Sequence, residues 1–185
     1  MTHFMKWFGG VFPAVALLVF SFAISAKASA MELRSGAFED REKIPAQYAM
    51  PEAGGKNASI PLSWSGPPPN TKSFALTIID PHPVAKNWIH WMVINIPSRA
   101  VSLDVNASGR NMPPGALELK NSFGSSGYGG PQPPKGSGDH PYVITLYALK
   151  AEALDPKTID SLEAFQQAIK GKVLGKASIT GYFGK

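Results

Sequence analysis

Short apolar runs that stop at turn residues dominate the chain after position 30. They include Phe74 to Ile79, which stops before Asp80 and a proline, and Trp88 to Ile96, which also stops at a proline. Runs of this length bounded by Pro, Gly or Asp predict buried strands of an antiparallel assembly. Further strands are predicted from Ser59 to Trp64 and from Tyr142 to Leu149.

Two of these predicted strands are apolar on both faces, because side chains alternate across a strand with a period of two. The alternation places Trp88, His90, Met92 and Ile94 on one face and Ile89, Trp91 and Val93 on the other. It likewise places Tyr142, Ile144 and Leu146 opposite Val143, Thr145 and Tyr147. Both strands are therefore predicted to be central in a sheet.

One amphipathic helix is predicted near the C-terminal end, where an apolar stripe runs from position 162 to 169. Asp160, with Glu163 three residues later, is the predicted N-cap, and Gly171 suits the end of the helix. The pattern from Val173 to Ala177 predicts a second short helical turn.

The first 30 residues differ in kind from the rest of the chain. Lys6 precedes an apolar run from Trp7 to Ile24, and Ala28-Ser29-Ala30 matches the small-residue pattern of peptidase cleavage. We predict a cleaved signal peptide over residues 1–30 and a single domain over residues 31–185, in the bacterial periplasm or secreted. The alternative is a single membrane anchor, which interruption by glycine and Pro13 disfavours. After cleavage, no stable membrane association is expected.

Composition narrows the classes of function. The chain has 185 residues, 18 Gly, 17 Pro and no cysteine, which indicates a loop-rich, mainly β protein without disulfides or Cys-ligated metals. Lys plus Arg number 18 against 13 acids, and 18 − 2 = 16 bases remain after the predicted cleavage. This thinly spread excess of three bases does not predict a nucleic-acid partner.

Three pieces of sequence carry the candidate chemistry. Asp80 ends a predicted buried strand, His90 lies in an apolar run, and the Gly/Pro-rich loop from Tyr128 leads into His140 and Tyr142. An acid, imidazoles, a phenol and loop amides together suit a phosphate or carboxylate ligand. Each piece also has a purely structural interpretation: a turn-capping Asp, a core histidine and a surface crossover loop.

These pieces, in this order, resemble the phosphatidylethanolamine-binding protein family, in particular its bacterial Raf-kinase-inhibitor-like (YbhB/YbcL) branch. The resemblance rests on Asp80-Pro81, Trp88-x-His90 and the segment Pro133-Pro134-Lys135-Gly136-x-Gly138-x-His140-x-Tyr142. It implies a mainly β fold, an antiparallel β-sandwich of two packed sheets with a peripheral C-terminal helix. It also implies a small surface cavity that accepts phosphate-like anions and phosphoryl headgroups.

The resemblance assigns ligand-binding positions residue by residue. Asp80, His90, His140 and Tyr142 fall on the family's anion pocket. The other assigned positions are a wall residue, two loop residues and a rim residue: Trp88, Gly130 in the loop that supplies amide donors, Pro133 and His82. His82 stands where family members often have an acid, so the rim is expected to be less negative.

The predicted function is non-catalytic binding of a small anionic or phosphorylated ligand, with no cofactor, no metal and no catalytic residue. One alternative is an interaction module that inhibits a protease or kinase. Another is a hydrolase or metal site built from the Asp and His cluster, although the chain contains neither G-x-S-x-G nor H-E-x-x-H. A homodimer is left open.

Overall fold

The computed structural model of the protein describes residues 1–3 and 30–184. The elements, in chain order, are β1 (Glu32–Ser35), β2 (Leu62–Ser65), β3 (Ser73–Asp80), β4 (Trp88–Pro97), β5 (Ser102–Leu103), β6 (Leu117–Glu118), β7 (Asp139–Leu149), α1 (Leu162–Ile169) and β8 (Val173–Gly184). Single turns of 3₁₀ helix lie at Ala46–Tyr48, Pro51–Ala53 and Pro156–Thr158. The hydrophobic run and cleavage pattern of the predicted signal peptide lie outside the described residues, apart from Ala30.

The strands form two sheets. The smaller has the order β1-β2-β5 and the larger the order β6-β4-β3-β7-β8, and every pairing between these strands is antiparallel. β4 and β7 are both interior strands of the larger sheet, which confirms the prediction made from their two apolar faces. The described part of the chain is therefore mainly β, with two antiparallel sheets, as expected.

The larger sheet buries both of its faces, each against a different partner. One face packs on the smaller sheet, and the two contribute to one apolar cluster in which Trp64 contacts Phe74 edge to face at 5.5 Å. The other face carries α1, whose Phe165 is fully buried beside Tyr147. Burial on both faces explains why the central strands lack a polar alternation.

The predicted faces of β4 are wrong beyond His90, because the strand contains a β-bulge. Ile79 pairs with Ile89 while Ile78 pairs with Trp91, so that His90 is an extra residue in β4. Past such a bulge the alternation reverses. Trp91 and Val93 accordingly face the smaller sheet, while Met92 and Ile94 join Ile89 on the α1 face.

Two predictions for the C-terminal region need correction. The N-cap of α1 is Ser161 and not Asp160, since the Ser161 hydroxyl accepts a hydrogen bond from the Ala164 amide at 3.1 Å. The Val173 to Ala177 segment begins strand β8 instead of a helical turn, because it pairs with β7 along almost its whole length. Gly171 does follow the helix end, with φ at 70°. Within the described residues, no helix has the length and apolar character needed to cross a membrane.

Candidate functional site

The candidate residues meet at one end of the larger sheet, because antiparallel neighbours bring the end of one strand beside the beginnings of the next two. Asp80, the last residue of β3, pairs with Trp88, the first residue of β4. On the other side of β3, Ile79 pairs with Val143 of β7. The pairing thus gathers side chains that lie up to 62 positions apart along the chain (142 − 80).

A cavity of about 200 Å³ lies at this end of the sheet. Its walls come from the 84–88 turn, the three strand ends and the two loops that precede β7: Asp80, Val84, Ala85, Trp88, His90, Phe123, Gln132, Pro133, Pro134, His140 and Tyr142. This volume is below the range of roughly 300–1,000 Å³ typical of sites for drug-sized ligands. The cavity therefore suits a compact group of a few heavy atoms.

Asp80 and His140 form a buried pair on the cavity wall. Asp80 Oδ2 lies 2.6 Å from His140 Nδ1, and the side chains are 4% and 0% exposed. The second carboxylate oxygen, Oδ1, accepts the backbone amide of His82 at 2.9 Å. Burying a carboxylate without partners is costly. Each Asp80 oxygen has a protein donor, so the carboxylate is held in one orientation.

The far nitrogen of His140 contacts Ser137, which lies in the loop before β7. Ser137 Oγ lies 2.9 Å from His140 Nε2 and donates to the Pro134 carbonyl at 2.6 Å. Since a hydroxyl has one proton and a carbonyl only accepts, the contact with Nε2 is satisfied when Nε2 carries a proton. With both ring nitrogens of His140 protonated and Asp80 as the counterion, every contact among Asp80, His140, Ser137 and the Pro134 carbonyl joins a donor to an acceptor.

His90 has a different electrostatic state. Its Nδ1 lies 2.7 Å from the Gly129 carbonyl, so Nδ1 carries the proton. Burial lowers the pKa of His90 from 6.5 to about 4, and it outweighs the raising effects of the Gly129 bond, the Asp80 charge and the Gly130 carbonyl. His90 is consequently neutral at pH 7, with the lone pair on Nε2.

Tyr142 places a phenol beside His90, with ring centroids 4.9 Å apart. Its hydroxyl is buried and has no hydrogen-bond partner in the described structure. Burial and the charge of Asp80 raise the pKa of Tyr142. The backbone amide of Gln132 has a smaller, lowering effect on this pKa, although it does not form a hydrogen bond of normal geometry with the hydroxyl. The hydroxyl therefore keeps its proton, and Tyr142 is one of the residues that line the cavity.

His82 is partly exposed and is not among the residues that line the cavity. Its ring stacks on His140 with the centroids 3.8 Å apart and the planes 19° from parallel. Its Nδ1 is 3.3 Å from the Val84 amide, which can only donate. His82 was predicted at the rim of the cavity. In the structure it contacts the cavity only indirectly, by stacking on the His140 ring.

Gly130 lies in the loop that was predicted to supply amide donors, and its own amide is bonded within the protein. Its N–H is directed to Asn57 Oδ1 at 2.7 Å, and Gly130 is not among the residues that line the cavity. A Cβ at this position would lie 2.2 Å from the Tyr48 carbonyl oxygen. Glycine is needed here because two backbone segments pack closely.

Phe123 is a wall residue that sequence reasoning missed. Its ring meets Trp88 and His90 edge to face, at centroid distances of 5.4 and 5.6 Å. The buried side chain of Asn121 positions it by accepting the Phe123 amide at 3.0 Å. Trp88 and Pro133, two of the predicted ligand-binding residues, also line the cavity. Their contribution to ligand binding stays a prediction.

A larger groove of about 400 Å³ lies between β1 and β8, and it is the weaker candidate. Its charged side chains include the ion pair between Arg34 and Glu32, which are 75% and 51% exposed. Solvent-exposed ion pairs of this kind are screened by water and contribute little to stability. The smaller cavity combines a buried ionic pair with an unpartnered buried donor.

Comparison with known proteins agrees with the architecture. The chain is 41% identical over 155 residues to the UPF0098 protein of Methanothermobacter thermautotrophicus, a match that covers 83% of this chain and 98% of the relative. It is 35% identical over 156 residues to the putative lipoprotein LppC of Mycobacterium tuberculosis, covering 84% and 73%.

A solved structure and a family model point the same way. The crystal structure of Escherichia coli YbcL, described as a member of the mammalian PEBP family, superposes with a TM-score of 0.77 at 32% identity and covers 85% of this chain and 99% of YbcL. The model of the phosphatidylethanolamine-binding protein family matches residues 34–184. On this evidence the chain belongs to the phosphatidylethanolamine-binding protein family.

Proposed function

We propose that the protein is a non-catalytic binding protein of the bacterial envelope whose small cavity accepts a phosphate-like anion or the phosphoryl group of a small ligand. The observation that carries the proposal is the Tyr142 hydroxyl, a buried donor without a protein partner on the wall of the cavity. Leaving such a donor unpaired costs about 1–3 kcal/mol, which a ligand oxygen would offset. The adjacent Asp80–His140 pair supplies a fixed polar surface for the same ligand.

Binding without turnover is favoured over hydrolysis by the arrangement around Ser137. Asp80, His140 and Ser137 form a linear chain of contacts like that of a serine hydrolase. However, the Ser137 proton is directed to the Pro134 carbonyl, and Ser137 is not among the residues that line the cavity. A nucleophile needs a base that accepts its proton and a path to the substrate. Ground-state binding alone does not accelerate a reaction.

An envelope location is supported by the putative lipoprotein name of the mycobacterial relatives and by the predicted signal peptide. Inhibition of a protease or kinase stays a prediction from the family resemblance.

Calorimetric titration of the purified protein with methyl phosphate tests the proposal. The His140→Ala variant should bind at least about tenfold more weakly, because it leaves the buried Asp80 carboxylate without its partner beside the bound anion. Lys176→Ala, which removes an exposed cation from β8, is the control and should bind like the wild type. Absence of binding would contradict the proposal. Repeated hydrolysis of the ester that is abolished in both His140→Ala and Ser137→Ala would replace it with a catalytic function.

A further inference from the structure

The cavity presents hydrogen-bond acceptors where an anion site would be expected to present cations. His90 is bonded through Nδ1–H to the Gly129 carbonyl, which leaves the Nε2 lone pair as the ring atom available to a molecule in the cavity. Asp80 contributes a carboxylate, and each of its oxygens accepts only one bond from the protein. An oxygen of this kind can accept a second hydrogen bond.

The charges that face the cavity sum to no positive excess. The titratable groups on its wall are Asp80 from β3, His90 from β4, and His140 and Tyr142 from β7. A protonated His140 is balanced by Asp80, while His90 and Tyr142 are neutral. Among the described residues that line the cavity there is no lysine or arginine, and Lys135 lines a neighbouring groove instead.

This combination disfavours an anion that has lost all of its protons. A dianion would meet one phenol donor, a carboxylate and a neutral imidazole lone pair, and in a partly buried site these repulsions are weakly screened. A singly protonated phosphate would instead accept a hydrogen bond from the Tyr142 hydroxyl with one oxygen and donate its own P–OH proton to His90 Nε2. The Tyr142 hydroxyl and His90 Nε2 would then each have a partner on the ligand.

We infer that the cavity selects the singly protonated form of a phosphomonoester, RO–PO₃H⁻, and discriminates against its dianion, against phosphodiesters and against sulfate. A phosphodiester carries a single negative charge but has no acidic proton to donate. Sulfate carries two negative charges and also has no proton to donate. The inference rests on the proposed function and specifies the ligand class of the same cavity. The monoester could be a free metabolite or a lipid headgroup such as that of phosphatidic acid, since the recognised chemistry is the same.

The test compares three probes on the purified wild-type protein by calorimetry: methyl phosphate, dimethyl phosphate and inorganic sulfate. At about pH 5.5, where a phosphomonoester is mostly a monoanion, methyl phosphate should bind at least about tenfold more tightly than either other probe. Above the second pKa of the monoester, near about 6, its affinity should fall by about tenfold per pH unit. The pH profile of dimethyl phosphate, which has no titrating proton in this range, reports titration of protein groups and is subtracted.

The outcomes separate the two claims. If none of the probes binds at any pH, the proposed function fails and the inference fails with it. If the three probes bind equally, or if the affinity for methyl phosphate is constant or rises from about pH 6 to pH 8, only the inference is overturned. Co-sedimentation with vesicles containing phosphatidic acid, competed by methyl phosphate, shows whether the monoester is also recognised on a lipid surface.

A second measurement does not depend on affinity. In ¹⁵N-labelled protein, the His90 ring should be the neutral Nδ1–H tautomer between about pH 5.5 and pH 8, and the Nε2 resonance should move toward the protonated range on addition of methyl phosphate but not of sulfate. An Nε2–H tautomer or an imidazolium at about pH 6 would remove the acceptor and refute the inference.

Discussion

Replacing Tyr142 by phenylalanine should stabilise the free protein and weaken ligand binding at the same time. The hydroxyl is buried in the free protein without a partner, and such a group costs about 1–3 kcal/mol. Its removal leaves the ring contact with His90 intact. We therefore expect the free energy of unfolding to rise by about 1 kcal/mol, which for a domain of this size raises Tm by about 2–4 °C.

The effect on binding has the opposite sign, because the hydroxyl is the proposed donor to the anion. Loss of a hydrogen bond of about 1.5–3 kcal/mol to a charged oxygen should weaken methyl phosphate binding by about tenfold to a hundredfold. Calorimetric titration and thermal unfolding of the same samples measure both quantities. Tyr147→Phe, on the opposite face of the same strand, is the matched control and should leave affinity unchanged. A Tyr142→Phe variant with lowered Tm, or with wild-type affinity, would refute the reasoning.

Three further predictions concern stability. The pKa of His90 is 6.5 in the unfolded chain and about 4 in the folded protein, so neutral His90 stabilises the fold fully above about pH 6.5 and this contribution is lost as pH falls to about 4. The free energy of unfolding, measured with urea, should therefore decline by about 3 kcal/mol in this window, and the decline should be missing in His90→Gln. Gly130→Ala should lower Tm more than Gly136→Ala, since a Cβ at position 130 would lie 2.2 Å from the Tyr48 carbonyl oxygen. A Cβ at position 136 has open space and bears only the strain of φ at 81°, about 1–2 kcal/mol. Equal Tm values for the two variants would contradict this reasoning. Phe165→Ala should cost about 3–5 kcal/mol in chemical denaturation yet leave the affinity for methyl phosphate of the folded protein unchanged, and a parallel loss of affinity would show that α1 supports the cavity.

The larger sheet could be predicted from sequence because its strands carry local signals. Apolar runs bounded by Asp and Pro give the approximate extent of β3 and β4, and two apolar faces indicate that β4 and β7 are interior strands. β8 could not be predicted in full. From Val173 to Ala177 it is spaced like a helix, and only its pairing with β7, which local spacing does not reveal, decides in favour of a strand.

The candidate site divides in the same way. Asp80, His90, His140 and Tyr142 lie at strand ends, so strand prediction and family resemblance together place them near one another. Contacts made by loop backbone had no local signal. Gly130 was expected to lie in a loop that supplies amide donors, yet its own amide is used by a side chain 73 positions away along the chain. Phe123 depends on an Asn121-centred turn, whose geometry is set by hydrogen bonds to Gly127 and Ser125.

The bulge at His90 links the core to the candidate site. Because it adds one residue to β4, His90 and Trp91 lie on the same side of the larger sheet, with His90 at the cavity and Trp91 in the core between the sheets. The Trp91 indole donates a hydrogen bond to Glu118 at 2.8 Å, and Glu118 also accepts one from the Ser108 hydroxyl. The Ser108 hydroxyl in turn accepts a hydrogen bond from the backbone amide of Tyr128, the residue before Gly129. Gly129 donates its amide to the His90 carbonyl and receives Nδ1–H from the His90 ring, so the loop and the histidine are fixed by each other. A regular strand would send one of these two side chains to the α1 face, so the ring orientation that leaves Nε2 toward the cavity depends on the same irregularity that packs the core.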